Sequence, residues 1–173
     1  AQVAGKAPED VPWKKLNLQF FAEGADKKTK PKAMENAVWG EYLKAETPGK
    51  RGTLIGNLDK LTADERKMVE DLLSLGKDVK IIPKSNEFKV KTPDFEVNGI
   101  KTELKTINGI SDSTPVKRIR KAFQQHASVV IIDARKTEML FQDAEVVISR
   151  VKGIMGELPG NVEIWTKQGI FRR

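Results

Sequence analysis

Asp94, Glu103 and Lys105 are the residues whose types and spacing most directly suggest chemistry. Glu103 and Lys105 stand two apart in Ile100 to Ile107, a stretch that reads as a β-strand. Both side chains therefore leave one face, and Leu104 turns to the other. Asp94 precedes Phe95-Glu96-Val97, and the Asn98-Gly99 that follows favours the tight turn of a hairpin. Such a hairpin brings Asp94 beside Glu103. Neighbouring carboxylates repel, and a divalent cation relieves the repulsion. Their hard oxygens suit Mg²⁺ or Mn²⁺. An ion of that kind polarises a phosphate and helps generate hydroxide from water. Lys105 could stabilise the developing phosphoryl charge, or orient and deprotonate the water. The same residues admit a plainer reading: Asp94 as a turn residue after Pro93, with Glu103 and Lys105 on a solvated strand edge.

The elements that must position these residues can be read around them. Thr62 to Gly76 is a helix. Thr62 is its N-cap, Glu65 completes a capping box, Met68, Val69, Leu72, Leu73 and Leu75 form the apolar stripe, and Gly76 stops it. Asp78 to Ile82 is a strand ended by Pro83, and Lys89-Val90-Lys91 a further extended piece. After the hairpin, Pro115 opens a helix running to about Ala127. Val129 to Asp133 is a continuous apolar strand of the buried kind. A helix over 142–155 and a strand over 161–166 with a short return strand complete the chain. Alternating helices and strands with one hairpin in front predict an α/β fold: a mixed central β-sheet flanked by helices. Residues 1–48 read as an N-terminal extension, with an apolar island at Leu16 to Phe21 and a short amphipathic helix from Ala33 to Lys44. Residues 49–173 carry the remaining elements.

Polar and basic residues follow the lysine strand. Thr106, Ser111, Ser113 and Thr114 could contact phosphates through hydroxyls and amides. Lys117, Arg120 and Lys121 recur at spacings of three and four, so they share one helix face and form the best basic surface for nucleic acid. A solvated helix face is the competing explanation. His126 reads as a helix-end residue. Asp133, with Arg135 and Lys136 nearby, sits at a strand's carboxyl end, where α/β sites often form. Trp165 and Phe171 read as core.

Composition narrows the chemistry. The 173 residues carry no cysteine and one histidine. That excludes disulfides, thiolate nucleophiles, zinc fingers, iron–sulfur clusters and histidine-rich metal sites. The net charge of +7 is spread along the chain, so affinity for an anionic partner must come from a folded surface. The longest apolar run, Val129 to Ile132, is far short of the roughly 20 residues of a membrane span, so stable membrane insertion is not expected.

Pro93-Asp94 followed by Glu103-Leu104-Lys105 resembles the motif of the PD-(D/E)XK nuclease superfamily. The wider stretch, from about Gly49 to Phe171, resembles nuclease domains at the C-termini of polymorphic bacterial toxins. Its marks are Gly76-Lys77-Asp78-Val79, Lys91 to Phe95, Gly99, the Arg118–Gln125 helix and Ile131-Ile132-Asp133. The nearest likeness is to CdiA-type toxins of contact-dependent growth inhibition, particularly their tRNA-cleaving group. The resemblance implies a PD-(D/E)XK-like core and a metal-dependent endonuclease, secreted and delivered into the cytoplasm of target bacteria. It also implies a cognate immunity protein. Asp94 and Glu103 would be metal ligands for Mg²⁺, with Mn²⁺ or Zn²⁺ as alternatives, and Lys105 the catalytic lysine. A further carboxylate often comes from the first core helix. Glu65 is the first candidate, although it also suits the capping box, and Glu70 is the second. Gln124 or Gln125 would orient the phosphate. tRNA is expected before DNA. A non-catalytic nucleic-acid-binding or phage structural module is the alternative of a different class.

Overall fold

The computed structural model describes residues 42–43, 49–83, 93–109, 111 and 113–173. The expected apolar island at Leu16 to Phe21, the strand at Lys89-Val90-Lys91 and most of the helix at Ala33 to Lys44 lie outside them. So does the extension 1–48 apart from Tyr42 and Leu43.

The described residues form one seven-stranded sheet with three α-helices. The order is β1 (Leu54–Ile55), α1 (Ala63–Ser74), β2 (Val79–Ile81), β3 (Phe95–Val97), β4 (Ile100–Thr106), α2 (Thr114–Gln124), β5 (Val129–Asp133), α3 (Phe141–Met155), β6 (Asn161–Thr166) and β7 (Gly169–Arg172). A 3-10 turn, Leu58–Lys60, separates β1 from α1. The strands lie side by side in sequence order. β1 and β2 are parallel, as are β4, β5 and β6; β3 is antiparallel to both neighbours, and β7 is antiparallel to β6. The expected mixed α/β sheet is therefore present. The short β1 was not anticipated, because two residues are too few to show any periodicity.

Local chemistry explains the ends of the elements. At α1 the Thr62 hydroxyl accepts from the Glu65 amide, and the Glu65 carboxylate accepts from the Thr62 amide, which closes the capping box. In the β3–β4 turn, Asn98 and Gly99 have φ of 52° and 80°. A two-residue type I′ turn needs positive φ at both positions, which Asn-Gly tolerates best. α2 opens with Pro115 in its first turn, and His126 just beyond its end takes φ 66°.

Two apolar layers sandwich the sheet. On one face α1 contributes Met68, Val69, Leu72 and Leu73 against Phe95, Val97, Leu104, Val129, Ile131 and Trp165. On the other face Val116, Ile119, Ala122 and Phe123 of α2 join Val147, Ile148 and Val151 of α3 against Val130, Ile132, Val162 and Ile164. β5 is buried along its whole length, as its unbroken apolar sequence requires. Each such side chain contributes about 1.5–3 kcal/mol when fully buried. Tyr42 belongs to the α1 layer: its backbone carbonyl accepts from Lys77 Nζ at 2.7 Å and Asn98 Nδ2 at 2.9 Å, and the Lys77 ammonium lies 4.0 Å from its ring centroid.

Candidate active site on the β3–β4 hairpin

The hairpin register pairs Phe95 with Thr102, which sets Asp94 directly across from Glu103. Parallel pairing then decides which way each side chain faces. Leu104 is beside Ile131, so it points into the α1 layer; Glu103 is beside Val130 and Lys105 beside Ile132, so they leave the other face, the one carrying α2 and α3. The expected division of Glu103 and Lys105 from Leu104 is what the sheet shows.

Glu103 is 2% exposed, far from the solvated edge that its charge alone would suggest. Lys105 Nζ lies 2.6 Å from Glu103 Oε1, and the Asp94 backbone N–H also donates to this carboxylate. Glu103 Oε2 is buried and has no hydrogen-bond partner. Burial raises the Glu103 pKa above the usual carboxyl value. Lys105 pulls it back through its hydrogen bond and charge, and the Asp94 charge adds to the rise. A buried anion with one oxygen left unpartnered is costly unless something else uses it. Asp94 is half-buried, and its carbonyl holds the Ile82 amide at 2.9 Å.

The donor set suits a hard cation: two facing carboxylates, one with an unpartnered buried oxygen. These carboxylates number two among the described residues. Among the described residues, no three Asp, Glu or His side chains come together to hold a metal. Glu65 is thus not brought to the pair. It is engaged in the α1 capping box, and α1 covers the face to which Leu104 points. Glu70 pairs with Arg51 at 2.7 Å. Thr106 is also misplaced as a phosphate ligand. It stands beside Asp133 on the α1 face, with its hydroxyl 3.5 Å from Met68 Sδ. The strand alternation that unites Glu103 with Lys105 necessarily separates them from Thr106.

α2 lies on the same face as Glu103 and Lys105. Lys117, Arg120, Lys121, Gln124 and Gln125 line one groove along it, as the spacings of three and four require. Arg120 Nε is buried there without a partner. The Ser111 and Thr114 hydroxyls bond each other ahead of the helix.

A second charged cluster occupies the opposite face. Arg135 donates to both Asp133 oxygens at 2.9 and 2.8 Å and to Asp71 Oδ2 at 2.6 Å, and its guanidinium lies 4.8 Å from the Trp165 ring. Burial raises the Asp71 pKa and outweighs the attraction of Arg135. This cluster ties α1 to the end of β5. Sequence reading singled out Asp133 and Arg135 but missed Asp71, whose only signal was a charge flanking the stripe of α1.

Residues 91–171 match the family model of the contact-dependent growth inhibition CdiA C-terminal domain. That match spans 81 of the 173 residues and supports a CdiA C-terminal toxin domain over this stretch. Asp94, Glu103, Lys105 and the α2 groove all fall inside the matched stretch; Glu65 and Glu70 fall outside it. A chain of a solved "CdiA-CT/CdiI toxin and immunity complex from Burkholderia pseudomallei" superposes with a TM-score of 0.52 at 16% identity, over 70% of this chain and 98% of that one. At that identity the likeness is one of fold. A search of the curated proteins gives no match. The matched stretch thus brings together the hairpin carboxylates, Lys105 and a basic helix on one face of the sheet.

Proposed function

We propose that this domain is the toxic part of a contact-dependent growth inhibition system, acting as a metal-dependent endonuclease on RNA, with tRNA as the first candidate. It would be delivered into target bacteria and neutralised in its producer by a cognate immunity protein. The observation that carries the reading is the Glu103 carboxylate: buried, facing Asp94, paired to Lys105 through one oxygen and unpartnered at the other.

In this reading Asp94 and Glu103 hold the ion. When bound, a hard divalent cation polarises a phosphate oxygen and lowers the pKa of a water. The chain's own residues do the rest. Lys105 sets an ammonium where phosphoryl charge develops, in a setting shielded enough for that charge to count. Lys117, Arg120 and Lys121 hold the sugar-phosphate backbone along α2, and Gln124 orients a phosphate through its amide. The complex named for the similar structure is a toxin with its immunity protein. That supports an immunity partner here, and a basic substrate groove favours an acidic surface on that partner.

The test is incubation with total RNA and with plasmid DNA, in Mg²⁺ or chelator, beside Asp94→Ala and Lys105→Ala. Cleavage of RNA by the wild type in Mg²⁺ alone, lost in both variants, is expected. Cleavage of DNA alone would make this a DNA-cutting toxin. Failure to cut either substrate with any divalent metal would end the enzymatic reading.

A further inference from the structure

We propose, resting on the metal-centred reading above, that Lys105 is the resident counter-cation of Glu103 in the metal-free domain, and that an incoming divalent cation displaces it toward the substrate side. The lysine would then have two stations. In the first it neutralises Glu103. In the second it serves the phosphate, and only after the ion has arrived.

Three observations carry this. The first is the uneven use of the Glu103 carboxylate. Oε1 is 2.6 Å from Lys105 Nζ, while Oε2 is buried and unpartnered. The buried, unpartnered oxygen has no protein bond to lose to an ion, whereas the other is held by the ammonium. Two cations in contact with one carboxylate repel strongly in a shielded site.

The second is the asymmetry of the pair. The Glu103 side chain is 3% exposed and Lys105 30% exposed. Glu103 is held by its strand and by the Asp94 amide, whereas lysine ends a four-carbon stem that already reaches solvent. Exchange therefore moves Lys105 and leaves the ligands in place.

The third is charge. Asp94 lies across from Glu103, so without the ammonium two carboxylates would face each other with no cation between them. Lys105 supplies that cation until the ion takes over the task. The consequence is ordered assembly: the lysine becomes available to a phosphate only in the metal-loaded domain.

The test measures Mn²⁺ binding calorimetrically in the wild type, Lys105→Met and Lys105→Arg. Removing a competing, partly exposed cation should tighten Mn²⁺ binding about three- to tenfold in Lys105→Met. Lys105→Arg keeps the charge and should bind as weakly as wild type. Equal or weaker binding by Lys105→Met overturns the exchange while leaving the metal-centred reading intact. No Mn²⁺ binding by the wild type sinks both. If Lys105→Met fails to fold, the wild type alone decides. Lys105 should be acetylated faster by an amine-reactive ester when Mg²⁺ is added, as read by peptide mass spectrometry. An unchanged or slower rate refutes displacement.

Discussion

Replacing Glu103 with glutamine separates the stability of this domain from its proposed chemistry. The amide is nearly isosteric, and its oxygen can still accept from Lys105 and from the Asp94 amide. What disappears is a negative charge at a residue 2% exposed. The raised pKa states which effect is larger: burial disfavours the anion by more than Lys105 stabilises it. The folded domain thus holds this proton more tightly than the unfolded chain does. Its contribution to stability is greatest below the ordinary glutamate range and is lost as pH rises through the interval up to the raised value. At pH 7.5, above the ordinary glutamate range, burial of the charge counts against the wild type. The Glu103→Gln variant should therefore be more stable than wild type there by about 0.5–2 kcal/mol, the usual gain when a functional site gives up its strain. Near pH 4 the difference should vanish. Asp71 also titrates with a raised pKa, but both proteins share it, so the difference between them isolates Glu103. Urea unfolding at the two pH values, followed by far-UV circular dichroism, measures this, and the proposed nuclease activity should be lost in parallel. A variant less stable than wild type at pH 7.5 would show that the Lys105 bond outweighs burial, and would refute the argument.

Three further outcomes are expected. Glu163 and Arg172 form a fully buried ion pair at 2.9 Å, with Trp165 Nε1 donating to the same carboxylate at 2.6 Å. Arg172→Met leaves that charge behind and should cost about 3–5 kcal/mol in urea unfolding, most of it recovered in Glu163→Gln/Arg172→Met; a single-variant cost below about 1 kcal/mol would contradict this. Tyr42→Ala empties a site under the Lys77 ammonium and should cost about 3–5 kcal/mol, whereas Tyr42→Phe, which keeps the ring, should cost far less. Alanine at Lys117 or Lys121 should weaken RNA binding to a similar degree across sequences and reduce the slope of log affinity against log salt by about one unit each, read by fluorescence anisotropy; an unchanged slope removes α2 from the interface.

Much of this was legible in the chain because it depends on short-range rules. The α1 capping box, the Asn98-Gly99 turn, the buried β5 and the stripe of Lys117, Arg120 and Lys121 each follow from spacing within about a dozen residues. The same alternation placed Glu103 and Lys105 on one face and Leu104 on the other. Strand pairing is a contact between distant segments, and it decided the rest. Alternation already parts Thr106 from Glu103, but only the parallel register of β4 with β5 puts the Leu104 and Thr106 side under α1. Only packing of α1 across that face keeps Glu65, already in its cap, away from Asp94 and Glu103. The burial of Glu103, the Arg135 bridge to Asp71 and the Glu163–Arg172 pair are likewise invisible to periodicity. A charged residue reads as solvent-facing until its partner is known. Local sequence sets which side of a strand a residue takes; desolvation, and with it the energy of a carboxylate, is set by what folds over that side.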